Sequence, residues 1–129
     1  MPDKDGNAAQ LRRGVLELHK ALMDAQRIRY ERLHGRIATN GEFLGLVLEH
    51  PQFAWLRALS ALIARLDEWI DDEKREPVEL TAMVAALQAL TEHNGANAVF
   101  STAYWEIVND VPEATIAHVK LTRALEAIR

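Results

Sequence analysis

Apolar residues recur at helical spacing along almost the whole chain, and this periodicity restricts the possible folds more than any other feature. One face of a long first helix is predicted to hold Leu11, Val15, Leu18, Leu22, Ala25 and Leu33. Comparable stripes predict helices over about residues 52–72, from Pro77 onward, over 99–108 and near the end of the sequence. No segment alternates apolar and polar residues as a half-buried strand does. The sequence therefore predicts an all-α protein.

Cap and turn residues divide these stripes into separate helices. Thr39 and Glu42 have the spacing of a capping box and predict the start of a short second helix. Asp110, which comes two residues before a proline, is predicted as the N-cap of the last helix. We expect a single helical-bundle domain over residues 1–129, made of four long helices and two short connecting helices, with residues 1–8 as a flexible N-terminus.

Composition agrees with one globular domain. The chain of 129 residues is 49% hydrophobic and 26% charged, which excludes a disordered protein. It contains no cysteine, so it can form no disulfide, thiolate metal site or thiol nucleophile. No apolar stretch approaches the ~20 residues that span a bilayer, and the first residues do not resemble a signal peptide. We therefore expect a cytoplasmic location and no membrane partner.

The net charge of −4 is unevenly distributed along the chain. Basic residues outnumber acidic ones in residues 1–36, whereas acidic residues predominate in the remainder. This asymmetry favours ion pairing within the chain or between subunits. No zinc-finger spacing or RNA-binding signature accompanies the basic segment, so we expect no nucleic acid partner.

Polar residues lie in or beside the apolar stripes of the first and third predicted helices. Arg29 falls in line with the leucines of the first helix, while Ser60 and Asp67 border the stripe of the third. A charge withdrawn from water needs a partner, so Arg29 and Asp67 are predicted to form a partly buried ion pair. Alternatively, this polar seam lines a small ligand site. Its polar contacts are then Arg29, Arg57, Ser60 and Asp67, and its walls are Tyr30, Phe53 and Trp55.

Two features indicate a subunit interface. Trp69 and Trp105 project away from the main apolar stripes of their helices, where an indole is buried within the monomer, packs against a partner or lines a ligand pocket. The fourth predicted helix also carries an alanine face, which permits close approach of another helix. The predicted interface residues are Trp69, Trp105, Ala82, Ala85 and Ala89.

Neither a metal site nor a catalytic group is predicted. Di-iron bundles use two Glu-x-x-His pairs, and this chain has only Glu31 with His34. His19 and His118 lie beside apolar stripes and could approach each other, but such histidines are usually hydrogen-bonded boundary residues. Ser60 has no histidine at helical spacing, and there is no glycine-rich phosphate loop. We expect no cofactor and no enzymatic activity.

The segments Pro51–Ser60 and Leu66–Glu68, with Leu18–Lys20 before the basic stretch Arg27–Arg36, resemble a group of small uncharacterised bacterial helical proteins. The resemblance implies a bacterial origin and an all-helical fold, and it assigns no catalytic residue. The leading hypothesis is a non-enzymatic bundle that acts through protein association, as a homodimer. The alternatives are a small-ligand-binding or regulatory domain that uses the polar seam, and a metal-binding bundle.

Overall fold

The computed structural model describes residues 4–128, and this part of the chain is helical with no β-strand. The prediction of an all-α fold is confirmed. The helices are α1 (Lys4–His34), α2 (Asn40–Glu49), α3 (Arg57–Asp71), α4 (Pro77–Thr91), α5 (Ala98–Asp110) and α6 (Pro112–Ile128). A 3₁₀ segment, Pro51–Leu56, connects α2 to α3.

The long helix α1 packs against α3 on one side and α6 on the other. α4 rests on α3, and α5 rests on α6. Gly14 lies where α1 meets α6, and a Cβ at this position would lie in ordinary van der Waals contact with the Cα of Leu121, at 3.6 Å. The α1 stripe forms the centre of the core, where Leu11, Val15, Leu18 and Leu22 are almost completely buried.

Local signals explain several helix ends. Thr39 caps α2, because its Oγ1 accepts a hydrogen bond from the Glu42 N–H at 3.1 Å. The Glu42 carboxylate in turn accepts from the Ala38 N–H at 3.2 Å, one residue before the position expected in a capping box. Gly35 follows the last residue of α1 with a φ of +88°, a conformation that glycine adopts without strain.

Three details of the predicted helices need correction. The helix predicted over 52–72 begins as the 3₁₀ segment and becomes α-helical at Arg57. Asp110 is the last residue of α5 rather than a cap, because Val111 connects α5 directly to α6. Leu33 is 73% exposed, since the end of α1 extends past Asp110, where α5 stops.

The predicted flexible N-terminus covers residues 1–8. Within this segment α1 begins at Lys4, and Ala8 is buried in the core. The flexibility of the segment stays a prediction. Residues 1–3 of this predicted segment lie outside the described part of the chain.

Candidate functional site

Three polar side-chain pairs cross between α1 and the chain segment that runs antiparallel to it. The Arg12 guanidinium donates to Asp67 at 2.5 Å, His19 Nε2 lies 2.9 Å from Ser60 Oγ, and the Trp55 indole N–H donates to Gln26 at 3.0 Å. The α1 members are spaced by seven residues, which places them on one side of the helix. Their partners are spaced by seven and then five residues, because the 3₁₀ segment rises further per residue than an α-helix.

The predicted ion pair between Arg29 and Asp67 is wrong. Asp67 pairs with Arg12, whereas the Arg29 guanidinium lies 3.2 Å from the carboxylate of Glu106 and 4.0 Å from that of Asp110. Residues 12, 19 and 26 of α1 face the α3 side. Position 29 lies on a different side of the helix, so the Arg29 side chain reaches toward α5. Sequence reasoning identified Ser60 and Asp67 on α3 but missed the seven-residue spacing that marks their α1 partners.

His19 and Ser60 form a polar contact between α1 and α3. Burial lowers the pKa of His19, which keeps its imidazole neutral as a general base requires. However, no described carboxylate hydrogen-bonds to His19, and Ser60 Oγ also lies 3.2 Å from the Leu56 carbonyl, to which it can donate. Both residues lie within helices, where backbone N–H groups bond to carbonyls and cannot form an oxyanion hole. The geometry supports a structural contact between helices.

The predicted aromatic walls are part of the packed interior. Phe53 is buried and lies 6.0 Å from Tyr30, measured between ring centroids, while Trp55 lies 5.4 Å from Phe100. Arg57 donates to the Leu48 carbonyl at 2.6 Å and so connects α3 to α2. The polar seam therefore holds paired groups and packed rings, and the ligand site proposed there stays a prediction.

The predicted interface residues separate into two groups. Trp69 is 6% exposed, its indole N–H donates to the Glu76 carbonyl at 2.9 Å, and the Arg75 guanidinium lies over its ring. The monomer thus already covers Trp69, and this indole is not available at a surface. Ala82, Ala85 and Ala89 are exposed on the outer face of α4.

A cavity of about 340 Å³ lies between the end of α4, α5 and α6. It is lined by Gln88, Thr91, Glu92, His93, Trp105, His118, Thr122, Leu125 and Glu126. The imidazole of His93 stacks on the half-buried Trp105 indole, with ring centroids 3.5 Å apart and planes 18° apart. His118 meets the same indole edge-on at 4.8 Å. The Trp105 Nε1 is buried and has no hydrogen-bond partner in residues 4–128.

The protonation of His118 follows from its neighbours. The Tyr104 hydroxyl lies 2.5 Å from His118 Nδ1, and burial raises the pKa of Tyr104 so that the hydroxyl keeps its proton. Tyr104 therefore donates, and the proton of a neutral His118 is on Nε2. Burial, and secondarily the charge of His93, lowers the pKa of His118 and favours the neutral form. His19 and His118 contact different hydroxyl groups, those of Ser60 and Tyr104.

A larger cavity, about 440 Å³, lies where α1 passes the junction of α5 and α6. Its lining includes five charged residues, namely Asp24, Arg29, Arg32, Asp110 and Glu113. Arg29 pairs with two acids of α5, and Asp24 accepts from Lys20 at 2.7 Å within α1. Three of these five charged groups are thus already paired within the chain.

No family model matches the chain, and the comparisons with curated proteins and with solved structures found no similar protein. In residues 4–128, no helix combines the length and apolar character needed to cross a membrane. Within the same residues, no three histidine or carboxylate side chains converge as a metal ion requires. The function therefore has to be inferred from the α4 face and the α4–α6 cavity.

Proposed function

We propose that this protein is a non-enzymatic helical bundle that works by self-association, and that α4 forms the contact between two copies. In this arrangement four long helices are connected by the shorter α2 and α5, and the pair of bundles is the functional unit. The observation that carries the proposal is the outer face of α4. Val78, Ala82, Ala85 and Ala89 are all exposed there, and Glu79 is the only charged residue in the whole helix. A helix that is apolar on its outer face as well as on its core face is normally covered on both.

The spacing of this face fits a second copy of the same helix. Positions 78, 82, 85 and 89 are symmetric about the centre of α4, so a two-fold axis at that centre brings antiparallel helices into register. Val78 then lies opposite Ala89 of the second copy, which pairs a larger side chain with a small one. Ala82 lies opposite Ala85, where two small side chains let the backbones approach closely.

Electrostatics also permits this self-contact. The same symmetry places Glu79 opposite Gln88 of the second copy, so the only carboxylate of the helix meets an amide. Like charges therefore do not face each other across the axis.

The proposal is tested by light scattering across protein concentration. One helix per subunit buries less than the ~800 Å² per partner of a standard interface, so we expect dissociation on dilution. The mass should rise toward twice the 14.5 kDa of the chain between about 10 µM and about 1 mM, the range of weak complexes. Ala85→Glu places two carboxylates beside the axis and should keep the protein monomeric.

Ala61→Glu is the matched control, because Ala61 is also an exposed alanine within a helix but lies on α3. It should leave the association curve unchanged. A constant monomer mass over the whole concentration range contradicts the proposal. Equal loss of association in the two variants also contradicts it, since α4 would then have no special role.

A further inference from the structure

We propose that the α4–α6 cavity binds a small molecule that carries a guanidinium group, and that this group stacks on Trp105 in place of the His93 imidazole. The stacking ring Trp105 and its neighbour His118 belong to α5 and α6, so the site is distinct from the α4 contact although Gln88 borders both. Its volume of about 340 Å³ is at the lower end for small-molecule pockets and suits a compact ligand.

The charges of the cavity favour a cation. Glu92 and Glu126 line it, and neither pairs with a basic side chain in residues 4–128. No lysine or arginine is present in its described lining, and the imidazole of His118 is held in the neutral form. The carbonyl end of the α4 dipole, at Thr91, adds partial negative charge at the same place. The charges around the cavity therefore favour a positively charged ligand.

The aromatic geometry favours a planar cation over a compact ammonium. His93 is exposed, lies in the turn after α4 and covers the Trp105 ring in a nearly parallel stack. When the His93 side chain rotates away, one face of the Trp105 indole is free. Another flat group can then stack there at the 3.5 Å spacing that the imidazole has now. A guanidinium stacks on an indole through both cation–π and planar contact, and its N–H groups match carboxylates in pairs. Glu92 and Glu126 are the carboxylates within the cavity.

The probe is methylguanidinium, added to the intact protein while the Trp105 indole N–H is followed by two-dimensional NMR. The resonance is assigned by its loss in Trp105→Phe. We expect a saturable shift with a dissociation constant on the order of millimolar, the scale for a ligand of so few atoms. Methylammonium has the same charge but is not planar, so it should bind more weakly. Urea is planar but uncharged, so it should not bind.

Three variants identify the residues involved. Glu126→Gln should weaken binding about two- to fivefold, as for a partly exposed ion pair, whereas Glu113→Gln on the same helix should not. His93→Ala should strengthen binding by about two- to tenfold, because the ligand no longer displaces a stacked ring. The absence of a saturable shift overturns the proposal, as does equal binding of methylammonium. Weaker binding in His93→Ala also overturns it, because His93 would then be a ligand contact.

Discussion

Trp55 and Trp105 are both half-buried indoles, but their surroundings differ in a way that separates scaffold from site. The Trp55 N–H donates to Gln26, and its ring packs beside Phe100 in the interior. The Trp105 N–H has no partner in the described chain, and its ring is covered by the exposed imidazole of His93. Buried polar groups in native proteins are normally paired, so an unpaired one requires an explanation.

The same contrast holds for the charged and titratable groups around each indole. Along the seam between α1 and α3, three polar pairs each join two separate helical segments. Around Trp105, His118 has a hydroxyl partner on another helix, while Glu92 and Glu126 line a cavity and pair with no basic side chain in residues 4–128. Polar residues near a core are thus structural where they are paired across helices. They become candidates for function where the fold leaves them unpaired.

The largest effect is expected at Tyr104, which supports the cavity from within the core. Its side chain is completely buried, so Tyr104→Ala should lower the free energy of unfolding by about 3–5 kcal/mol. Tyr104→Phe removes only the hydroxyl and leaves His118 Nδ1 without its donor, which should cost about 1–2 kcal/mol. Urea denaturation measures both changes.

Tyr30→Phe is the control for the hydroxyl. The Tyr30 ring is half-buried among aromatic neighbours, and its hydroxyl makes no hydrogen bond in residues 4–128. Its removal should change the free energy of unfolding by less than about 0.5 kcal/mol. If Tyr104→Phe is equally harmless, the contact with His118 contributes nothing to stability, and the argument for the His118 tautomer fails.

A smaller effect is expected from pH, because one histidine in each region has a lowered pKa. Burial lowers the pKa of His19 and of His118, so the unfolded chain takes up protons more readily than the folded protein. The resulting stability is fully present above the unfolded value of 6.5 and is lost as the pH falls through the lower folded values. Denaturation midpoints should therefore decrease from pH 7 toward pH 5.

Variants assign this pH dependence to the two regions. His19→Gln and His118→Gln each remove one titrating group and should flatten the profile. His93→Ala should also flatten it, because the charge of His93 contributes to the lowered pKa of His118. The contribution of His19 should persist in that variant. If His118→Gln leaves the pH dependence of the denaturation midpoint unchanged, the His118 imidazole does not contribute to the loss of stability at low pH.

Helical periodicity was enough to predict the all-α fold and most of the core. Leu11, Leu18 and Leu22 are buried as their spacing indicates, because a helix presents every third or fourth residue to the same side. Periodicity gives the angle around one helix and carries no information on its register against another. For that reason Asp67 was placed correctly beside the seam while Arg29 was assigned as its partner in error.

The α4–α6 cavity was less accessible to sequence reasoning. Its main residues come from three separate segments, and His93 and Trp105 are brought together only when the turn after α4 folds back over α5. Asn94, next to His93, adopts a left-handed conformation with a φ of 55°, which lets the chain reverse there. The Asn94–Gly95 signal predicts such a turn but not the ring on which the neighbouring imidazole rests.

The smallest effect is expected for the outermost pair of the seam, Arg12 with Asp67. Had Arg29 and Asp67 formed a buried pair, removal of one partner would cost about 3–5 kcal/mol. The observed pair is instead substantially exposed, with side-chain exposures of 45% for Arg12 and 40% for Asp67. Water and salt screen such a contact, so Arg12→Ala and Asp67→Ala should show an interaction energy of about 0.2–1 kcal/mol in a double-mutant cycle. That energy should decrease in 1 M salt, where the Debye length is about 3 Å.

Arg29→Ala combined with Asp67→Ala provides the control cycle. The two side chains have different partners, so their effects on the free energy of unfolding should add within about 0.5 kcal/mol. An interaction energy above about 2 kcal/mol for Arg12 with Asp67 contradicts the screened geometry, because an exposed pair cannot supply it. Coupling between Arg29 and Asp67 contradicts the assignment of partners itself. In either case the contacts between α1 and α3 are no longer a purely structural contrast to the cavity around Trp105.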